Sequence, residues 1–160
     1  GATVCRPKKP LCPVCPWRTS CAAYSEGAVE TYPRKTKTAR KPTRYGTAFL
    51  VFDSEGAILL RRRPPSGLLG GMIEVPSTEW RETPWGMDEA LAVGPAAGGW
   101  FALEAPVRHT FTHFHLELTV ISGKAAGGAI GDGFWCPPKR LADQALPTVM
   151  KKILRRARVL

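Results

Sequence analysis

At 160 residues, 44% of them apolar, the chain has the length for one ordinary domain and an appendage, and no apolar run approaches the roughly 20 residues of a membrane-spanning helix. No tripartite secretory leader opens it, so a soluble, intracellular protein is expected. The excess of 23 Lys and Arg over 13 Asp and Glu, a formal charge of +10, gathers around the first cysteines (Arg6, Lys8, Lys9, Arg18), between Arg34 and Arg44, and at the end (Lys151, Lys152, Arg155, Arg156, Arg158), a distribution suited to a polyanion.

Four of the five cysteines come first, spaced Cys5, six residues, Cys12, two residues, Cys15, five residues, Cys21. Four thiolates this close in sequence suit one inorganic centre, and prolines at 7, 10, 13 and 16 discourage a helix that would carry them apart. Zinc ribbons bring two Cys-x-x-Cys knuckles, whereas here one knuckle, Cys12 to Cys15, is flanked by lone cysteines. An iron–sulfur centre is therefore favoured, with structural zinc and a disulfide set as alternatives. Cys136 lies too far along the chain to be assumed a ligand. From Ala22 to Tyr45 there is little apolar periodicity, prolines stand at 33 and 42, and the run TYPRKTKTARKPTR is basic, which predicts a connector of intermediate stiffness.

The texture changes at Gly46. TAFLVFD and AILLRRR flank Ser54-Glu55-Gly56 and predict a hairpin; a Pro/Gly loop and a short strand at MIEVP follow. A helix is expected from about Thr83, with Met87, Ala90 and Leu91 on one side. Phe114, Leu116, Leu118 and Val120 alternate with His115, Glu117 and Thr119, the pattern of a half-buried strand. A glycine-rich loop is expected from Gly123 to Gly133, then FWC. A last helix from about Pro147 would turn Val149, Ile153 and Leu154 inward, its basic face serving equally as a solvated surface. Trp80, Trp85, Trp100 and Trp135 are dispersed and read as core or semi-core residues. Strands, helix, strands and helix make an α+β domain.

The wording GATVCRPKKPLCPVCPWRTSCAAY resembles the four-iron cluster loop of base-excision glycosylases related to endonuclease III, and the MutY-type adenine DNA glycosylases in particular. PPSGLLGGMIEVP, RHTFTHFHLEL and ALPTVMKKIL resemble the Nudix-like C-terminal domain of the same glycosylases. The resemblance implies a Nudix-like (MutT-like) α+β domain at 46–160, an interdomain connector at 25–45 and an iron–sulfur loop at 1–24. It implies a 4Fe-4S cluster on Cys5, Cys12, Cys15 and Cys21; because a centre with four thiolate ligands is itself anionic, the nearby cations Arg6, Lys8 and Lys9 are expected to serve both it and DNA phosphates. The parent enzyme would be an adenine DNA glycosylase of base excision repair, a hydrolase of N-glycosyl bonds that removes adenine opposite 8-oxoguanine. Its catalytic carboxylates belong to a helical domain upstream of the loop, so none is assigned here and the isolated chain is expected to be inactive. The expected partner is duplex DNA carrying 8-oxoguanine opposite adenine, with repair or replication proteins as candidates at the connector. The expected location is the cytoplasm, associated with a bacterial nucleoid.

A working Nudix hydrolase needs the box G-x5-E-x7-R-E-U-x-E-E-x-G-U, whose glutamates hold divalent cations. Counting from Gly67, Gly70 and Gly71, the glutamate position falls on Ile73, Pro76 or Ser77, and after Arg81-Glu82 the paired glutamates are replaced by Trp85 and Gly86. The box is absent, and Glu74, Glu79 and Glu82 read as scattered surface acids. Recognition without hydrolysis is expected.

All three histidines fall in His109-Thr-Phe-Thr-His113-Phe-His115. A metal site and a plain strand entry with one histidine bonded to backbone are two readings of this run. By resemblance, Phe111, Thr112 and His113 occupy the loop with which the family reads 8-oxoguanine. Serine is the commoner hydroxyl residue there, so Thr112 adds a methyl that narrows the approach. Leu68-Leu69-Gly70-Gly71-Met72 resembles a second loop of that domain, read here as packing. The alternatives are an autonomous Nudix-type nucleotide hydrolase and a protein-interaction module.

Overall fold

In a computed structural model the described residues are 3–34, 40–126 and 131–160. Lys35 and Lys37 of the expected connector and positions 127–130 of the expected glycine-rich loop lie outside them. The chain forms two compact units, Gly1–Arg40 and Lys41–Leu160.

The first unit is built of short turns. 3-10 turns at Cys12–Val14, Arg18–Ser20 and Val29–Thr31 surround one four-residue helix, α1 (Ala22–Ser25). Pro13 sits at the start of the first turn, where its missing N–H costs nothing. The turns pivot on cysteines: the Cys12 carbonyl accepts from Cys15 N–H (3.1 Å), the Cys15 carbonyl from Arg18 N–H (3.2 Å), and the Cys21 carbonyl from Ser25 N–H (3.0 Å).

The second unit is a mixed sheet with one helix on each face. Its strands are β1 (Thr43–Phe52), β2 (Ile58–Arg62), β3 (Ile73–Glu74), β4 (Ala97–Ala102), β5 (Val107–Thr110), β6 (His115–Ala125) and β7 (Gly133–Cys136). The order is β3-β2-β1-β6-β4, with β5 on β6 and β7 on β2. Its spine is the parallel pair β1 and β6, in register from Thr43 with His115 to Phe52 with Lys124. β1 is buried from Gly46 to Val51, as expected of a strand covered on both faces.

The predicted turn forms: Asp53 Oδ1 accepts from the N–H groups of Glu55 (2.9 Å) and Ala57 (2.7 Å), and Gly56 takes a positive φ of 81°. The strands it joins part after a single pair, Phe52 with Ile58. The reason is a competitor for the edge of β1. Residues 76–81 lie along it, with Phe49 N–H donating to Pro76 O (2.8 Å), Thr78 N–H to Thr47 O (2.9 Å) and Tyr45 N–H to Arg81 O (2.7 Å). Ala48 and Ser77 pair there, as do Tyr45 and Arg81. β2 turns away to β3 and β7.

α2 (Met87–Val93) starts four residues later than expected, because the carbonyls before it are already used. Trp85 Nε1 donates to Glu79 O (2.9 Å), and the Arg81 guanidinium donates to the carbonyls of Thr83 (3.1 Å) and Pro84 (3.1 Å). α3 (Thr148–Arg156) begins after Pro147 and buries Val149, Met150, Ile153 and Leu154, each such side chain contributing about 1.5–3 kcal/mol. They join Leu50, Leu116, Leu118 and Val120 on one sheet face. On the other face Phe49, Val51, Leu59 and Ile121 pack with Ala90 of α2 and with Trp85, Trp100 and Trp135. All four of the dispersed tryptophans are half-buried, the semi-core placement expected. Among the described residues no helix is long and apolar enough to cross a membrane.

Candidate functional site

The cysteine spacing yields one cavity. Cys12 and Cys15 lie at the two ends of a 3-10 turn and Cys21 precedes the first turn of α1. All four thiols are free, Cys5 exposed and the other three half-buried. They line a cavity of about 340 Å³ together with Arg6 and Arg18. Tyr24, Tyr32 and prolines supply apolar walls. No group of three or more His, Cys, Asp or Glu side chains among the described residues closes on a single metal ion. Arg6, Lys8 and Lys9 are exposed, and Arg6 Nη2 donates to Lys9 O (3.0 Å). Cys136 is buried in the second unit, where burial pushes its thiol up, away from a ligand's thiolate form.

Phe111, Thr112 and His113 occupy the turn joining β5 to β6, whose last paired residues are Thr110 and His115. The turn is tied at its base. Phe111 N–H donates to Phe114 O (2.9 Å), Lys41 Nζ to Phe111 O (3.1 Å), and the Thr110 hydroxyl meets His115 Nδ1 at 2.9 Å. Thr112 and His113 are left exposed at the tip. Phe111 is half-buried, its ring centroid 4.7 Å from His109 in a T-shaped contact, 4.9 Å from Phe114 and 5.9 Å from Trp80. Arg44 lies over the Phe114 ring at 4.7 Å and Arg63 over Trp80 at 5.1 Å.

His109 belongs to this aromatic cluster, and its Nδ1 is buried without a hydrogen-bond partner. Burial, aided by the nearby Lys152 charge, holds its pKa below the ordinary histidine value, which favours the neutral ring that packs against Phe111. The expectation of a histidine bonded to backbone is replaced by the contact of His115 with a threonine hydroxyl.

Behind the tip is a pocket of about 310 Å³, whose walls include Arg44, Arg63, Glu74, Thr78 and Trp80. Glu74 is no surface acid: it is 1% exposed, and its carboxylate accepts from Arg61 Nε at 2.7 Å and from Arg63 Nη1. Glu79 and Glu82 are exposed, as read from the sequence. The LLGG loop packs as expected, Leu69 resting on the core, and a Cβ at Gly70 would sit 2.5 Å from Pro65 O. Trp80, Arg63, Arg44 and Lys41 were beyond sequence reasoning, since none is near residues 111–113 in the chain and only the fold joins them.

A family model described as NUDIX domain matches residues 47–156. The adenine DNA glycosylase of Homo sapiens is 28% identical over 97% of this chain and 38% of its own length. That of Arabidopsis thaliana is 35% identical over 79% of this chain and 21% of its own length. The chain spans about two fifths of the length of the mammalian relatives it matches. The crystal structure of the complex between the C-terminal domain of mouse MUTYH and human PCNA contains a chain with a TM-score of 0.56 and 26% identity, over 72% of this chain and 87% of that one. A MutT protein from Methanosarcina mazei reaches a TM-score of 0.60 at 17% identity, over 76% of this chain and 97% of that one, a likeness of fold.

Proposed function

The chain belongs to the NUDIX domain family, and from that premise we propose that it is the part of an adenine DNA glycosylase that reads 8-oxoguanine opposite adenine in duplex DNA. The observation that carries the reading is the tip between β5 and β6, where Thr112 and His113 are presented to solvent on a turn tied by hydrogen bonds and backed by aromatic rings. Oxidation turns N7 of guanine from an acceptor into an N–H donor and adds an oxygen at C8. A reader therefore needs an acceptor at one edge and room for the new oxygen beside it. The Thr112 hydroxyl accepts and donates, the His113 imidazole adds a second polar group, and the Phe111 ring is an apolar wedge of the kind that enters between base steps. Adenine excision is not assigned to any residue of this chain.

Hydrolysis of nucleotides is not part of the proposal. The positions of the Nudix box hold Ile73, Pro76, Ser77, Trp85 and Gly86, and Glu74 is committed to two arginines.

The proposal includes a 4Fe-4S cluster on Cys5, Cys12, Cys15 and Cys21. A polynuclear centre needs volume between its ligands, which a cavity of about 340 Å³ lined by all four free thiols supplies, and Arg6 and Arg18 in its wall offset thiolate charge. When bound, the cluster cross-links the loop. The residues of the loop then hold Arg6, Lys8 and Lys9 at the surface for phosphates. Repair or replication proteins at the connector, 25–45, and a cytoplasmic, nucleoid-associated location complete the reading.

The test is binding of the 160-residue chain to duplexes that differ only in guanine or 8-oxoguanine opposite adenine, at fixed salt. The oxidised duplex should bind more tightly. Thr112→Ala should shrink that preference roughly 2- to 12-fold, the worth of one hydrogen bond of about 0.5–1.5 kcal/mol. Equal binding of the two duplexes, or magnesium-dependent turnover of oxidised dGTP, would overturn the reading in favour of a nucleotide hydrolase or an interaction module.

A further inference from the structure

We infer that the basic groove between α3 and β5 is a second nucleic-acid contact, which holds the phosphodiester backbone of the duplex beside the base met by the hairpin tip. The inference rests on the proposed lesion reading for what sits at the tip, and on separate residues for the groove. An open groove of about 800 Å³ has Ala105–Val107 on one side and five cations around it: Arg108, Lys152, Arg155, Arg156 and Arg158. Among the described residues no acidic side chain lines it. Glu117 pairs with Arg108 across the β5–β6 register at 2.8 Å and is the carboxylate in contact with this set.

Two features separate this arrangement from ordinary cations at a helix end. Arg155 and Arg156 stand in the last turn of α3, where cations favour the helix dipole in any protein. Arg108 is on a strand and Lys152 lies mid-helix, away from the negative end of the dipole, while Arg158, with a φ of 59°, caps the C-terminus of α3; all three face the same groove. Lys152 Nζ donates to Arg108 O (2.9 Å), which fixes the helix wall to the strand wall. Arg155, Arg156 and Arg158 are exposed, and none of the ion pairs among the described residues uses them. Three guanidiniums held together without counter-charge suit successive phosphates.

The groove is also at the right distance. It reaches β5 at Arg108, and the same strand runs directly into the tip. At about 3.3 Å per residue, Arg108 to Thr112 spans roughly 13 Å. A DNA strand advances about 3.4 Å per base, so the groove meets the backbone about four steps from the base at the tip.

The experiment compares two doubly substituted chains of equal charge change, Arg155→Ala/Arg158→Ala in the groove and Lys139→Ala/Arg140→Ala at exposed positions outside it. Binding to the guanine and 8-oxoguanine duplexes is measured across a salt series, with circular dichroism and Tm as the check on folding. The groove pair should lower the log–log salt slope by about 1.8, at about 0.9 per phosphate contact, equally for both duplexes. The control pair should leave the slope as it was. Arg156→Glu, at an exposed position, gives a second reading if the groove pair lowers Tm. Equal slopes for the two doubles, or an unchanged slope with Arg156→Glu, overturn the inference. If the unsubstituted chain shows no preference for the oxidised duplex while the groove pair still flattens the slope, the lesion reading fails and the groove stands.

Discussion

Replacing Phe111 with alanine separates anchoring from recognition. The ring is half-buried against His109, Phe114 and Trp80 and rests on the core cluster that contains α3. Full burial would make the truncation cost about 3–5 kcal/mol, so a half-buried ring should cost about 2. For a unit of this size each kcal/mol moves Tm by about 3–5 °C, an expected loss of about 6–10 °C. Thr112 is exposed, and no hydrogen bond engages its side chain among the described residues, so Thr112→Ala should stay within about 0.5 kcal/mol and 2 °C. Thermal melts should be paired with binding to the two duplexes. Phe111→Ala should lower Tm and weaken binding to both, whereas Thr112→Ala should keep Tm and shrink the preference for the oxidised duplex. Phe111→Leu keeps most of the apolar contact and should recover most of the Tm; if it still weakens both duplexes, the aromatic ring itself meets the DNA. An unchanged Tm in Phe111→Ala, or an equal fall in Thr112→Ala, would refute an anchored ring with a free tip.

His109 is held below its ordinary pKa by burial and then by Lys152, so as pH falls below about 6.5 the unfolded chain takes up a proton that the folded chain refuses. Tm should therefore decline between pH 7 and 5.5, and His109→Phe should flatten that decline; parallel profiles for the two chains would contradict it. Purification without oxygen should give a brown protein with about four irons and four sulfides, lost in Cys12→Ser and kept in Cys136→Ser. Stoichiometric zinc without sulfide would reject the cluster.

The elements legible in the sequence are those whose burial follows a local period. Leu116, Leu118 and Val120 are buried and His115 and Thr119 exposed, as the alternation predicts. The pattern then stops marking the strand: Val120 to Gly123 are all buried, and β6 runs on to Ala125, where the glycine composition predicts a loop from Gly123. Gly123 belongs in the strand because the Trp100 ring covers it, 2.7 Å from where a Cβ would stand. The splayed β1–β2 hairpin and the late start of α2 share one cause. Residues 76–85 spend their backbone groups on distant or side-chain partners, and no periodicity announces that. The thiols were legible because one short loop carries them all, and the tip because its residues are consecutive.

The hydrolase box is absent from the sequence, and Glu74, an acid outside the box positions, is committed in the structure to two arginines. A metal site requires carboxylates free to face a cation. Glu74 is buried, one of its carboxylate oxygens on Arg61 and the other on Arg63, so its charge is held in place and closed to a metal. Arg63 carries that constraint onward: with one nitrogen on Glu74 and Nε on Leu68 O (3.1 Å), its guanidinium lies over Trp80, and Trp80 backs Phe111. Gly46 admits the tryptophan, since a Cβ there would stand 2.8 Å from the indole Cδ1. Thus the carboxylate unavailable to a cation is the buried end of a series of contacts, Glu74 to Arg63 to Trp80 to Phe111, whose far end is the base of the exposed tip. Under the proposed reading, in which the tip distinguishes one oxygen atom and one proton on a base, it gains from a support with so few rotamers left to it.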